Sequence, residues 1–306
     1  MVRSRGGRAR ALPSLSELRR SSGSYLMVAP AVLLFLVFVI YPLCNTIVYS
    51  LFDYGLTSPR RAFVGLKNYV ELFNDKVFWR ALQNNFILMI GSVIVQIGLG
   101  VVLAAVLNRG IRHGTALFQT VIFAPMVMSV VAVGLLWQLI YDPNIGALSQ
   151  ALRAFHVPVP IQGWLGDPNI VIYAILAAAC WQYTGFMMVL LLAGMQSVPK
   201  ELYEAATLDG ASETQSFLYI TLPGIRNVLI VATLITMIGA FKVFDIVYVL
   251  TRGGPANASQ VLGTYLFQNA FTLNRAGYAN AIAVVLLGFA MLLGFIQLRF
   301  SRGTRV

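Results

Sequence analysis

The sequence predicts an all-α membrane protein with six transmembrane helices, on three observations. Of 306 residues, 58% are hydrophobic and only 11% charged, with a mean hydropathy of +0.77, against roughly 25% charged residues in soluble domains. Six runs are long and apolar enough to cross a bilayer core, which needs about 20 residues of helix. None shows the alternation of a membrane-barrel strand, and a span in lipid must satisfy its own backbone groups, which leaves helices.

The expected spans are 26–51, 85–107, 115–140, 170–195, 228–250 and 281–298, within a membrane domain covering 25–300. The first four contain no Lys, Arg, Asp or Glu, while the fifth carries Lys242 and Asp245. The first run could be taken for a secretory leader, because Arg3, Arg5, Arg8, Arg10, Arg19 and Arg20 precede it. Its apolar core exceeds the 7 to 15 residues of a leader and no small-residue cleavage pattern follows, so it reads as an uncleaved span.

The net charge of +11 does not mark a nucleic-acid binder, because the cations are spread by topology rather than gathered on one face. With alternating spans, the tail arginines, Arg109 and Arg112, and Arg299, Arg302 and Arg305 share one side. The positive-inside rule makes that side the cytosol, so the tails 1–24 and 301–306 are both expected inside a bacterial or archaeal plasma membrane. The first outer loop, with Arg60, Arg61, Lys67, Lys76 and Arg80, dilutes the contrast. In that loop Leu66, Tyr69, Val70, Leu72 and Phe73 suggest a short amphipathic helix after Gly65. Trp137, Gln138 and Tyr141 read as an interfacial belt. Cys44 and Cys180 fall in different spans and read as packing volume rather than a disulfide.

Residues 196–227 form the longest inside loop and read as two short helices. Ser197 and Pro199 suit the start of the first, Glu201 and Glu204 favour its positive end, and Gly210 ends it. Ser212 with Gln215 forms a capping-box pattern, Phe217, Leu218 and Ile220 make the apolar side of the second helix, and Pro223 stops it. A helix, sharp turn and helix at the membrane surface is a rigid knob, where Ala205 and Ala206 permit close approach and Glu204 and Asp209 offer carboxylates to an arginine.

Glu204, Ala205, Ala206 and Gly210, followed after nine residues by Ile220, Leu222 and Pro223, resemble the EAA loop of ABC importer permeases. The resemblance implies a coupling helix seated in a separate ATPase subunit, with Glu204 in contact and Gly210 at the bend. Phe244, Asp245, Tyr248, Leu250, Thr251, Gly253, Gly254 and Pro255 resemble the carbohydrate-uptake branch, specifically the maltose-permease-like first permease. That implies the maltose-transporter type of importer permease fold and a sugar substrate. The implied partners are a second homologous permease, two ATPase subunits that bind ATP and Mg, an extracytoplasmic solute-binding protein and membrane lipid. Relatives of the maltose type can carry extra spans and a large outer domain that this sequence lacks.

By the same resemblance the fourth and fifth spans supply a mid-membrane site, which places Gln182, Tyr183, Phe186 and Thr236 on the substrate pathway. Gly239, Ala240 and Val243, small or apolar at matching positions, imply a weak hold. A sugar path needs aromatic platforms and neutral hydrogen-bonding groups, and Trp181, Gln182, Tyr183 and Phe186 provide them. Lys242 and Asp245, three apart, would share a helix face. A structural ion pair or snorkelling accounts for them more readily than substrate binding, although Asp245 is kept among the pathway candidates.

No Gly-rich phosphate loop ending in Gly-Lys-Ser or Gly-Lys-Thr occurs, and His113 and His156 make no zinc-spaced pair. No catalytic, cofactor or metal site is therefore expected in the chain, and ATP hydrolysis falls to a partner. The alternative reading is an ion-coupled secondary transporter, for which Lys242 and Asp245 are the support. A polytopic membrane enzyme would need clustered acid, base or metal-ligand residues, which the sequence does not offer.

Overall fold

The computed structural model describes residues 26–57, 60–109 and 114–302; the expected tail 1–24 and residues 303–306 lie outside these. The chain divides into two units, Met1–Tyr49 and Ser50–Val306. Within the first, α1 (Leu26–Tyr49) is an apolar helix with no buried residue in its most hydropathic stretch. It widens to a π-turn at Leu36–Ile40, where the Tyr41 amide reaches back to the Leu36 carbonyl. Pro42 comes immediately after and has no amide to give the preceding turn, which is a local reason for the register slip.

In the second unit a two-residue ribbon pairs Phe52 with Phe63 and Asp53 with Ala62, and all other regular structure among the described residues is helical. Gly65, at φ 56, precedes α2 (Lys67–Asn74). Three long helices are uninterrupted and apolar enough to cross a membrane over most of their length: α3 (Lys76–Asn108), α7 (Val171–Gln196) and α13 (Ala276–Arg302). With α1 these are four, and two helix pairs bent at short breaks bring the number to six where each pair counts as one span by length and composition. The helix α3 starts well before the expected 85 because Asp75 caps it, accepting from the Val77 amide at 2.8 Å. Helical structure thus runs on through Lys76 and Arg80, beyond the apolar stretch that hydropathy detects.

The third span is not one rod. It is α4 (Thr115–Val127) and α5 (Val130–Ile140), bent by 100°. Pro125 lies inside the last turn of α4, and Ser129 recaps α5 by accepting from the Ala132 amide at 3.2 Å; a proline that cannot donate, followed by a good N-cap, breaks the span. The loop beyond contains α6 (Ala147–Ala154).

The fifth span also departs from a continuous 228–250 helix. The helix α10 (Arg226–Phe241) ends at Lys242, and α11 (Asp245–Thr251) restarts with Asp245 in its first turn. Asn85 of α3 holds both ends of the segment between Phe241 and Leu262, donating to the Phe241 carbonyl at 2.7 Å and accepting from the Leu262 amide at 2.8 Å. Lys242 and Asp245 therefore do not share a helix face, and no ion pair joins them. The chain then passes through α12 (Leu262–Phe267) to α13.

The core lies around α7, whose side chains are buried on most faces against α3, α4, α5 and α10. Trp137 and Tyr141 pack in an aromatic group with Trp181 and Trp164, and the Tyr141 hydroxyl donates to the Ala174 carbonyl at 2.8 Å. Both cysteines are free thiols.

A polar clamp ties the start of α3 to α12 and α13. Tyr265 and Tyr278 both donate to Asp75 Oδ2, the latter at 2.6 Å, and Arg275 pairs with Glu71 at 2.6 Å. Burial alone would raise the Asp75 pKa. The two tyrosines and the Val77 and Phe78 amides outweigh it and hold the carboxyl below its usual range. A pKa lower folded than unfolded means that the stabilisation is present above the ordinary aspartate pKa and is lost as pH falls through the folded value. Thermal unfolding of the purified protein should therefore lose midpoint steeply below the ordinary carboxylate range, and Asp75→Asn should flatten that dependence; an equal acid response in the variant would assign it elsewhere.

Candidate functional site

Two features stand out, an elbow on the loop between the fourth and fifth spans and a cavity among α3, α4, α7 and α10. The elbow consists of α8 (Lys200–Leu208) and α9 (Glu213–Gly224). Pro199, not Ser197, occupies the N-cap of α8; the Ser197 hydroxyl instead donates to the Gly194 carbonyl at 2.7 Å, closing the end of α7. Gly210 takes φ 79, a left-handed conformation costly for any residue with a Cβ, and the Ala211 amide returns to the Ala206 carbonyl at 2.9 Å. Ser212 and Gln215 then form the reciprocal capping box, with the Ser212 amide donating to Gln215 Oε1 at 2.7 Å.

The two helices are cross-braced where Tyr203 Oη meets Thr221 Oγ1 at 2.9 Å, and Phe217 and Ile220 pack on the core. Leu218 does not join that apolar side; it is exposed. A single non-helical residue, Ile225, separates α9 from α10, at a bend of 68°. The elbow is thus stiff within itself and joined directly to a span.

Its free surface carries Glu204, Ala205, Asp209 and Gly210, all exposed, with Ala206 half-buried beside them. Ile220 and Leu222 are half-buried, and Pro223 is exposed at the far end of α9. Around them Leu208 is 90% and Tyr219 77% exposed, with Leu202 and Leu218 also open. A rigid apolar surface rimmed by carboxylates is what a protein-docking patch presents.

The cavity encloses about 280 Å³ and is lined by Tyr183 and Phe186 of α7, Thr236 and Gly239 of α10, and Lys242, Phe244 and Asp245 at the break in the fifth span. Of the residues expected on the pathway, four line it: Tyr183, Phe186, Thr236 and Asp245. Gln182 does not. It is 1% exposed and points to the break of the third span, donating weakly to the Met128 carbonyl at 3.4 Å, with its Oε1 unpartnered. Lys242 and Asp245, both exposed, line the same space at the break between α10 and α11. Ser92 and Gln96 of α3 also line it; a polar pair four apart in the second span was the available signal, and reading that span only for hydropathy passes over it.

Among the described residues no cluster of His, Cys, Asp or Glu could hold a metal.

Residues 96–306 match the family model of the binding-protein-dependent transport system inner membrane component. The chain is 42% identical over 279 residues to the probable ABC transporter permease protein YurN of Bacillus subtilis, covering 91% of this chain and 95% of that one. It is 36% identical to the trehalose/maltose transport system permease protein MalF of Thermococcus litoralis, covering 96% and 98%. A solved bacterial alginate ABC transporter, in complex with an alginate pentasaccharide-bound periplasmic protein, has a chain of the same fold. That chain gives a TM-score of 0.83 at 23% identity, with 95% of this chain and 98% of that one covered. Relatives so similar over their whole length, together with a family model spanning most of the chain, place it among the binding-protein-dependent transport system inner membrane components, as an ABC transporter permease.

Proposed function

We propose that this permease forms half of the translocation pathway of an ATP-driven sugar importer and couples to a separate ATPase through the elbow. The observation that carries this is the exposed, internally braced surface around Glu204 and Leu208, which has the shape and chemistry of a docking knob and joins α10 through one residue. Glu204, Ala205, Ala206, Asp209, Gly210, Ile220, Leu222 and Pro223 form the contact and its bend. A closing stroke in the motor then tilts α9 and, through Ile225, α10, which walls the cavity.

The pathway residues are Tyr183, Phe186, Thr236 and Asp245, with Gln182 behind them at the break of the third span. Sugar as the cargo is supported by the relative named for trehalose and maltose and by a cavity that combines aromatic faces with neutral polar groups. A second homologous permease closes the other side of the path, two ATPase subunits hold ATP and Mg, and an extracytoplasmic solute-binding protein delivers the sugar. A pocket of about 320 Å³ lined by Lys76, Arg80, Asn169 and Asn257 brings the start of α3 together with the loops before α7 and after α11. It offers that protein a cationic seat. Both termini are cytosolic and the membrane is a bacterial or archaeal plasma membrane.

The test is uptake by the complete complex in proteoliposomes. ATP-dependent sugar accumulation that persists when ionophores collapse the ion gradients is expected; accumulation that follows the gradient and ignores ATP would instead establish a secondary transporter.

A further inference from the structure

The helix α3 sends one stripe of side chains, Leu88, Ser92 and Gln96, into the cavity, at the i, i+4, i+8 spacing of a single helix face. The stripe crosses a π-turn at Val93–Ile97, and Gln96 lies inside it. Such one-residue insertions shift the downstream face and recur at functional positions. Gln96 is 4% exposed and Ser92 2%. A carboxamide buried in a span is costly unless its two donor hydrogens and two acceptor lone pairs are occupied.

Gln96 is poorly provided for. Its Nε2 donates to Cys180 Sγ at 3.9 Å. Across the cavity Thr236 repeats the arrangement, its hydroxyl donating to Met187 Sδ at 3.5 Å. Sulfur is a weak acceptor, so the two walls hold polar donors against partners that an oxygen would displace at little cost. A sugar hydroxyl is such an oxygen, and it can both accept from the Gln96 amide and donate to its carbonyl.

We infer that Gln96 is a specificity-determining residue of the pathway: its carboxamide leaves Cys180 to bind a hydroxyl of a neutral polyhydroxylated ligand, opposite Thr236, making α3 a third wall of the site. This rests on the importer reading above.

The experiment uses the whole complex in proteoliposomes with trehalose, maltose and lactose and their single-deoxy derivatives, comparing wild type with Gln96→Leu and Gln96→Asn. For a transported sugar, Gln96→Leu should raise KM by up to about tenfold, the value of one neutral hydrogen bond. Gln96→Asn should recover part of it. One deoxy derivative should be handled alike by wild type and Gln96→Leu, because the bond is already missing from the ligand. Gln96→Leu should co-elute with the ATPase on size exclusion and melt at the wild-type midpoint, which shows that it still folds and assembles. An equal loss for every sugar and derivative would make Gln96 a packing residue, and no loss would remove it from the path; either overturns the inference while leaving wild-type transport intact. Absence of ATP-driven uptake of all three sugars by wild type would overturn the importer reading, and this inference with it.

Discussion

Reversing the charge at Glu204 is expected to abolish ATP-coupled uptake while leaving the protein inserted and folded. Glu204 is exposed on α8 and takes part in no ion pair within the described chain, so Glu204→Lys breaks no ion pair of the isolated fold. In the docked state proposed above, the substitution would exchange a charge-assisted bond for a like-charge contact with the same cationic partner. Losing such a bond costs about 1.5–3 kcal/mol, and repulsion adds to it, so affinity for the ATPase should fall by roughly 100-fold at 1.4 kcal/mol per tenfold. Co-purification of the ATPase and uptake should fail together, with an unchanged thermal midpoint for the permease alone. Uptake at the wild-type rate would sink the coupling role of the elbow.

A comparably large effect, by a different route, is expected at Gly185. This residue of α7 faces the bent third span, and a Cβ there would collide with the Ile122 carbonyl and lie 2.8 Å from Phe123 Cα. Both obstacles are backbone, so relief requires α4 to move bodily. Small residues allow such close helix approach in membranes, where packing rather than water exclusion holds helices together. Gly185→Ala should cost about 1–3 kcal/mol in packing strain, and Gly185→Leu should abolish recovery of folded protein from detergent. By contrast Gly239→Ala meets no atom within 4 Å and should leave recovery unchanged. Equal recovery of Gly185→Leu and wild type, read by size-exclusion profile and thermal unfolding, would show that α4 yields freely.

Much of the architecture was legible in the residues because the dominant signals are local. Long uncharged runs give the spans, and the elbow is written in caps and a bend: Gly210, Ser212 and Gln215 each act through neighbours within a few positions. The features that escaped depend on contacts distant in sequence. The break at Lys242–Phe244 is fixed by Asn85, more than 150 positions away, and nothing in the apolar run 228–250 announces it. Ser197 shows the local limit: as an N-cap its oxygen would accept from an amide of α8, but its hydroxyl instead donates to the Gly194 carbonyl at the end of α7. Gln182 and Gln96 were indistinguishable as buried amides in apolar helices. Only the bend of the third span and the π-turn of α3 decide that one faces the Met128 carbonyl and the other the cavity.

The interruption at Lys242–Phe244 also bears on water. Backbone that leaves the helix at the depth of the hydrocarbon survives only when protein surrounds it or water reaches it. Here it borders an open space together with an ammonium and a carboxylate that are not paired with each other. Two charges on the wall with no ion pair between them favour water in that space, and on the proposed pathway a passing sugar would shed only part of its hydration shell. The seal against ion leakage then has to be made elsewhere along the route.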